Sequence, residues 1–156
     1  MSQETPANSR IALISVHGCP LARPGSRDTG GMTIYVRELA QGLGRLGFKV
    51  DIYTRTHNPD EPQYVDLDEN TRVAHVDAGP PRTPKEELFT YLPTFVAQVK
   101  AHQRRHRLAY SLIHSHYWLS GWVAAILKRR WMVPHVTMFH TLGEVKNRAM
   151  VGGHES

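Results

Sequence analysis

At 156 residues, 40% hydrophobic and 21% charged, the chain has the composition of an ordinary globular domain with one core. No apolar run reaches the roughly 18 residues a bilayer-spanning helix needs, and Met1 to Arg10 (MSQETPANSR) carries no apolar signal-peptide core, so a cytoplasmic location is expected, with residues 1–9 as a disordered tail. The net charge of +5 and a pI of about 9.6 suit an anionic partner, whether nucleic acid, an anionic membrane surface or a phosphorylated small molecule. The single cysteine, Cys19, excludes an internal disulfide framework and a cysteine cluster for a structural metal, and reads as an inert loop thiol.

The chain opens with a buried strand, Ile11 to Val16, followed by a loop punctuated by glycine and proline and an amphipathic helix opened by Gly30 and Gly31. Met32, Val36, Leu39, Leu43 and Leu46 share one face of that helix, and Gly47 supplies its stop. Unpaired backbone N–H groups and the positive end of the helix dipole suit an anion in the loop. The glycines form neither a dinucleotide fingerprint nor a P-loop, so a purely structural turn competes with that reading.

Phe48 to Thr54 alternates as a second strand should, and Arg55 to Pro62 is a polar, turn-rich loop. Tyr64 to Leu67 and Val73 to Val76 are short strands on either side of a turn at Asp68 to Asn70. Three prolines and a glycine keep Asp77 to Pro84 out of helix and central strand. From Lys85 the pattern is helical, with Leu88, Leu92, Phe95, Val96 and Val99 on one stripe and Pro93 kinking or breaking it. A strand at Leu112 to His116 leads into a helix at Trp118 to Arg130, whose buried face is Leu119, Trp122, Val123, Ile126 and Leu127. Pro134 precedes a last strand, His135 to Phe139, and the end, His140 to Ser156, reads as polar and then frayed. The basic runs Lys100 to Arg107 and Lys128 to Arg130 read as solvated helix ends.

This alternation predicts an α/β fold, a Rossmann-like parallel sheet with helices on both faces. Its ligand crevice then lies at the carboxyl ends of the strands, where the sequence delivers His17, then His116 and Tyr117, then His140 and Thr141. Such imidazole, phenol and hydroxyl groups suit a pocket for hydroxyls and phosphate. Three histidines could also hold zinc, but they come singly from separate strands with no carboxylate beside His17 or His140, so no metal is expected.

Four ordered blocks, HGCPLARPGSRDTGGMTIYVRELAQGL, PKEEL, HSHYWLSG and HTLGEVKN, resemble the N-terminal half of the family 4 retaining glycosyltransferases of GT-B fold, across most of Arg10 to Met150. Within the family, they look most like the mycothiol-pathway inositol-phosphate transferases and the sucrose-phosphate synthases. The resemblance implies that Gly31 and Gly30, with Arg23 and Pro24, lie against the diphosphate of a nucleotide-sugar donor. It implies that His17, Asp28, Thr33, Lys85, Tyr117 and Thr141 line the pocket of a phosphorylated acceptor, and that His140 approaches the donor sugar as the catalytic residue. Thr33 departs from the residues those two branches carry, which leaves acceptor identity open, and Arg23 departs from the glutamine of the mycothiol-pathway branch, which adds charge beside the donor phosphates.

It further implies that residues 10–150 form the acceptor-binding half of a two-domain enzyme, with 151–156 as a frayed end and the donor-binding half missing, so that the chain alone is inactive. No cofactor is expected besides the co-substrate, and no nucleic acid. The alternative is a non-catalytic Rossmann-like module that binds an anion, or makes peripheral contact with an anionic membrane, through its basic helix ends.

Overall fold

The computed structural model describes residues 9–21 and 31–138, and the side chains of 33–138 in the second stretch. The predicted β1 is found at Arg10–Ile14, and its pairing runs on past Ile14: the Ser15 N–H donates to the Tyr53 carbonyl at 2.9 Å and Val16 accepts from the Arg55 N–H at 3.1 Å. Helix α1, Gly31–Arg45, buries Val36 and Ala40 and leans Leu39 and Leu43 on the sheet. Leu46, expected on that face, lies beyond the helix and is 69% exposed. The helix ends one residue before it, in a Schellman turn: Phe48 N–H donates to Leu43 at 3.2 Å, Gly47 N–H to Gly44 at 3.0 Å, and Gly47 takes φ +100°.

Strand β2, Lys49–Arg55, was expected to alternate between core and water, yet all of it from Val50 on is buried. Its polar residues Asp51, Thr54 and Arg55 are internal because helices cover both faces of the sheet. Strands β3, Tyr64–Asp66, and β4, Thr71–Val76, follow, and β3 pairs antiparallel at the edge. After the loop at 77–84, Lys85–Tyr91 is a 3-10 helix and α2 is Leu92–Arg105. Of the two expectations for Pro93 the break is found: it sits in the first turn of a new helix, where its missing N–H costs nothing. The stripe Leu88, Leu92, Phe95, Val96 and Val99 is buried as expected.

Strand β5, Leu112–His116, runs directly into α3, Tyr117–Trp131, and β6 is His135–Met138. On α3, Leu119, Val123 and Leu127 are buried, but Ile126 is 37% exposed. The basic runs do end α2 and α3, with Arg104 and Arg105 closing the first and Lys128 to Arg130 the second. Expectations for Phe139 and for 140–156 fall outside the described residues.

The six strands form one sheet in the order β3-β4-β2-β1-β5-β6, parallel throughout except for β3. Leu13, Val50, Ile52 and Val73 face α1, whereas Ala12, Ile14, Tyr53, Ala74 and Ile113 face α2 and α3. The sheet is thus Rossmann-like, with helices on both faces. The chain winds outward from β1 through β2 to the β3 edge and then returns to β1's other side as β5. That reversal opens a crevice between the carboxyl ends of β1 and β5.

Candidate functional site

Tyr117 is the first residue of α3 and follows β5 with no loop, so the reversal from strand to helix falls on it alone, at φ 72°. A left-handed backbone costs a tyrosine about 1–3 kcal/mol and persists where the surroundings over-determine it. Here they do. The Tyr117 ring meets the His17 ring edge-on at 4.6 Å, and the Lys85 Nζ sits 4.2 Å from its centroid, a cation over a π face. One turn on, Ser120 Oγ accepts from the Val16 N–H at 3.0 Å, which ties the start of α3 to the end of β1.

His17 follows β1 in a turn braced by Ser15, whose hydroxyl donates to the His17 carbonyl at 3.0 Å, with Gly18 at φ 78°. Burial, with the Lys85 charge second, lowers the His17 pKa to about 4. The imidazole is therefore neutral at pH 7, with one donor and one acceptor nitrogen. Its Nδ1 is buried and has no hydrogen-bond partner among the described residues.

Lys85 reaches this point because Arg55 organises the proline-rich loop before it. The guanidinium, at the end of β2 and 6% exposed, donates to the carbonyls of Pro80 at 2.9 Å, Pro81 at 3.0 Å and Ala78 at 3.4 Å. Backbone groups that no sheet or helix could pair are satisfied by one side chain. Gly79, at φ +84°, packs so tightly that an added Cβ would lie 2.5 Å from the Tyr91 ring.

On the other flank, Thr33 is buried in the first turn of α1, and Tyr35 meets His116 edge-on at 5.7 Å. Gly31 is the first residue of that helix, so the helix start leans on the same strand tip that carries Tyr117. The expected residues His17, Lys85 and Tyr117 thus come together, with Thr33 and Gly31 on the adjoining helix turn. His116 differs from the expectation: it is fully buried and stacks on His114 at 4.6 Å, beneath the site rather than at its mouth. Arg23, Pro24, Asp28, Gly30, His140 and Thr141 lie outside the described residues.

Sequence reasoning missed Arg55 and Ser120. An arginine at the edge of a polar stretch reads as solvated, and no local pattern announces that three distant carbonyls wait for it. Ser120 had a weak signal, as a small polar residue on the otherwise apolar face of α3.

The glycosyl transferase 4-like domain matches residues 30–154. The D-inositol 3-phosphate glycosyltransferase of Corynebacterium urealyticum is 46% identical over 145 residues, 92% of this chain and 34% of that protein. That of Kineococcus radiotolerans is 44% identical over 146 residues, with the same two shares, 92% and 34%. Among solved structures, sucrose-phosphate synthase from Thermosynechococcus elongatus superposes with a TM-score of 0.84 at 40% identity, over 90% of this chain and 35% of that one. The chain therefore spans about a third of the length of the relatives it matches. Sheet order, crevice position and these similarities agree: the chain belongs to the glycosyl transferase 4-like domain family of GT-B glycosyltransferases.

Proposed function

We propose that this chain is the acceptor-side domain of a retaining glycosyltransferase that moves a sugar from a nucleotide-diphosphate sugar to a phosphorylated polyol or sugar. The observation that carries the reading is the Lys85 ammonium held over Tyr117 beside a neutral His17 with an unpaired buried nitrogen. Lys85 supplies the cation for the acceptor phosphate, and His17 and Tyr117 supply hydrogen-bonding groups for its hydroxyls. The printed names of the relatives, an inositol 3-phosphate transferase and a sucrose-phosphate synthase, support a phosphorylated acceptor.

In the whole enzyme, the anomeric carbon breaks its bond to the diphosphate and bonds the acceptor oxygen on the same face. The acceptor proton passes to the departing phosphate. Catalysis is positioning plus stabilisation of the leaving charge, to which Gly31 at the start of α1, together with Gly30 and Arg23, contributes, with His140 at the donor sugar. Asp28, Thr33 and Thr141 complete the acceptor pocket, and a second, donor-binding domain closes the cleft.

Isothermal titration of this chain with inositol phosphate and with inositol tests the reading. The phosphate is expected to raise affinity, and Lys85→Ala to remove about 1.5–3 kcal/mol of it, about 10- to 150-fold. Equal affinity for the two ligands overturns it, as does sugar transfer by the 156-residue chain for the claim that it is inactive alone. Salt-sensitive binding to anionic vesicles that survives Lys85→Ala would favour instead a membrane-binding module, for which Lys100, Arg129 and Arg130 around Ile126 offer the surface.

A further inference from the structure

We propose that Cys19, His57, Glu61 and His75 form a zinc site over the carboxyl ends of β1, β2 and β4. One donor atom from each of the four residues lies within 4.8 Å of all the others. The Cys19 Sγ is 3.5 Å from His75 Nε2, His75 Nε2 is 3.2 Å from Glu61 Oε2, and His57 Nε2 is 3.5 Å from Glu61 Oε1. A tetrahedral zinc with bonds of about 2.0–2.3 Å has ligand-to-ligand edges of about 3.3–3.7 Å. Two of the six edges, from His75 Nε2 to the Cys19 sulfur and to Glu61 Oε2, are therefore already near coordination length, while His57 meets the other oxygen of the same carboxylate. Closing the others takes shifts of about 1 Å in side chains of which three are carried by loops.

The hydrogen positions point the same way. His75 Nδ1 lies 2.8 Å from the Pro62 carbonyl, which can only accept, so Nδ1 holds the hydrogen. That leaves the Nε2 lone pair facing a carboxylate oxygen and a sulfur, three donor atoms converging on a point that a metal ion would fill. An imidazole whose far nitrogen donates to a backbone carbonyl is also how proteins orient metal-bound histidine. The donor set of one sulfur, two imidazoles and one carboxylate favours zinc over magnesium or calcium, which take oxygen ligands.

With four protein ligands the site is closed and structural rather than catalytic. Zinc forms its bond to the Cys19 sulfur with release of the thiol proton. The metal pins the turn after β1 to the loop after β2 and to β4, two residues from His17, so it braces the imidazole of the candidate acceptor pocket. On this proposal Cys19 is a ligand rather than the inert thiol its isolation in sequence suggests. Sequence spacing hides the site because Cys19 and His75 are 56 positions apart.

Titration of the chelator-treated full chain with Co²⁺ and then Zn²⁺ tests the assignment. The expected result is one equivalent of Co²⁺ with intense tetrahedral visible bands and a near-ultraviolet thiolate-to-cobalt charge-transfer band, both bleached by zinc, and a thermal midpoint that rises with zinc. Cys19→Ser should abolish the charge-transfer band and His57→Gln should weaken zinc binding at least about tenfold. If Cys19→Ser does not fold, His57→Gln and the spectrum of the unaltered chain still decide. Cobalt bound without the charge-transfer band, or zinc affinity unchanged in His57→Gln, overturns the proposal and assigns the metal to other histidines among the ten.

Discussion

The two ends of the sheet handle their polar residues in opposite ways. Toward the amino ends, Asp51 on β2 is 1% exposed and saturated: Arg10 reaches it at 2.8 and 3.0 Å, Arg72 at 3.3 Å, and the Tyr110 hydroxyl donates to it at 2.7 Å. Tyr110 spends its one proton on that carboxylate, so the Tyr53 hydroxyl is the donor in the bond between the two tyrosines. Burial holds both phenols above the usual tyrosine range, which keeps them donors. At the carboxyl ends, among the described residues, Lys85 lies over an aromatic ring with no ion pair and His17 has a buried nitrogen with no hydrogen-bond partner. A closed network fixes the fold, whereas an open one leaves capacity for a ligand.

The sharpest way to break this contrast is to open the closed end. Asp51→Ala leaves Arg10, Arg72 and Tyr110 facing an empty position, and removing one partner of a buried ion pair costs about 3–5 kcal/mol. Urea denaturation followed by circular dichroism should show a loss of that size. A loss under about 1 kcal/mol would mean the network is solvated and the contrast false.

Arg55→Ala is expected to cost less, about 1.5–3 kcal/mol, because the freed carbonyls of Ala78, Pro80 and Pro81 recover part of their bonding from water. It should also weaken phosphorylated-acceptor binding, since the loop that presents Lys85 loses its anchor. Lys85→Ala should do the reverse, reducing binding while leaving the free energy of unfolding within about 0.5 kcal/mol. If Arg55→Ala destabilises without touching affinity, the loop holds its shape unaided.

The last test is a pH slope. His102 on α2, between Tyr53 and Tyr64, has its pKa lowered from 6.5 to about 4 by burial first and by His106 second. Between those values the unfolded chain takes up a proton that the folded chain resists. Stability should therefore hold level above pH 6.5 and decline as the pH falls toward 4. His17, also lowered to about 4, adds to the same decline, so His102→Gln should reduce the slope without removing it, and an unchanged slope would exclude His102 as a source.

Local pattern was enough for most of the architecture. The apolar stripe of α2, the buried face of α3 and the stop at Gly47 are set by neighbours three to five positions away, which any stretch of chain encodes in itself. The places where the pattern misled, Ile126 at 37% exposure among them, were decided by surroundings the local pattern does not contain. Leu46 was drawn out by the capping geometry just before Gly47, and Asp51 and Arg55 were drawn in because helices cover both faces of β2, whereas the break expected at Pro93 is found as a change of helix type just before it.

At the functional end, the order of strands carried His17 and Tyr117 to one crevice, and that much followed from βα alternation. That Lys85 joins them was implied only by the resemblance to known glycosyltransferases, since its own surroundings read as an exposed lysine at a helix start. Its place over Tyr117 depends on Arg55 and on a loop with no regular structure. The gathering of Cys19, His57, Glu61 and His75 had no trace in the sequence at all. Contacts between residues tens of positions apart depend on sheet order and loop path, and only the packed structure fixes those.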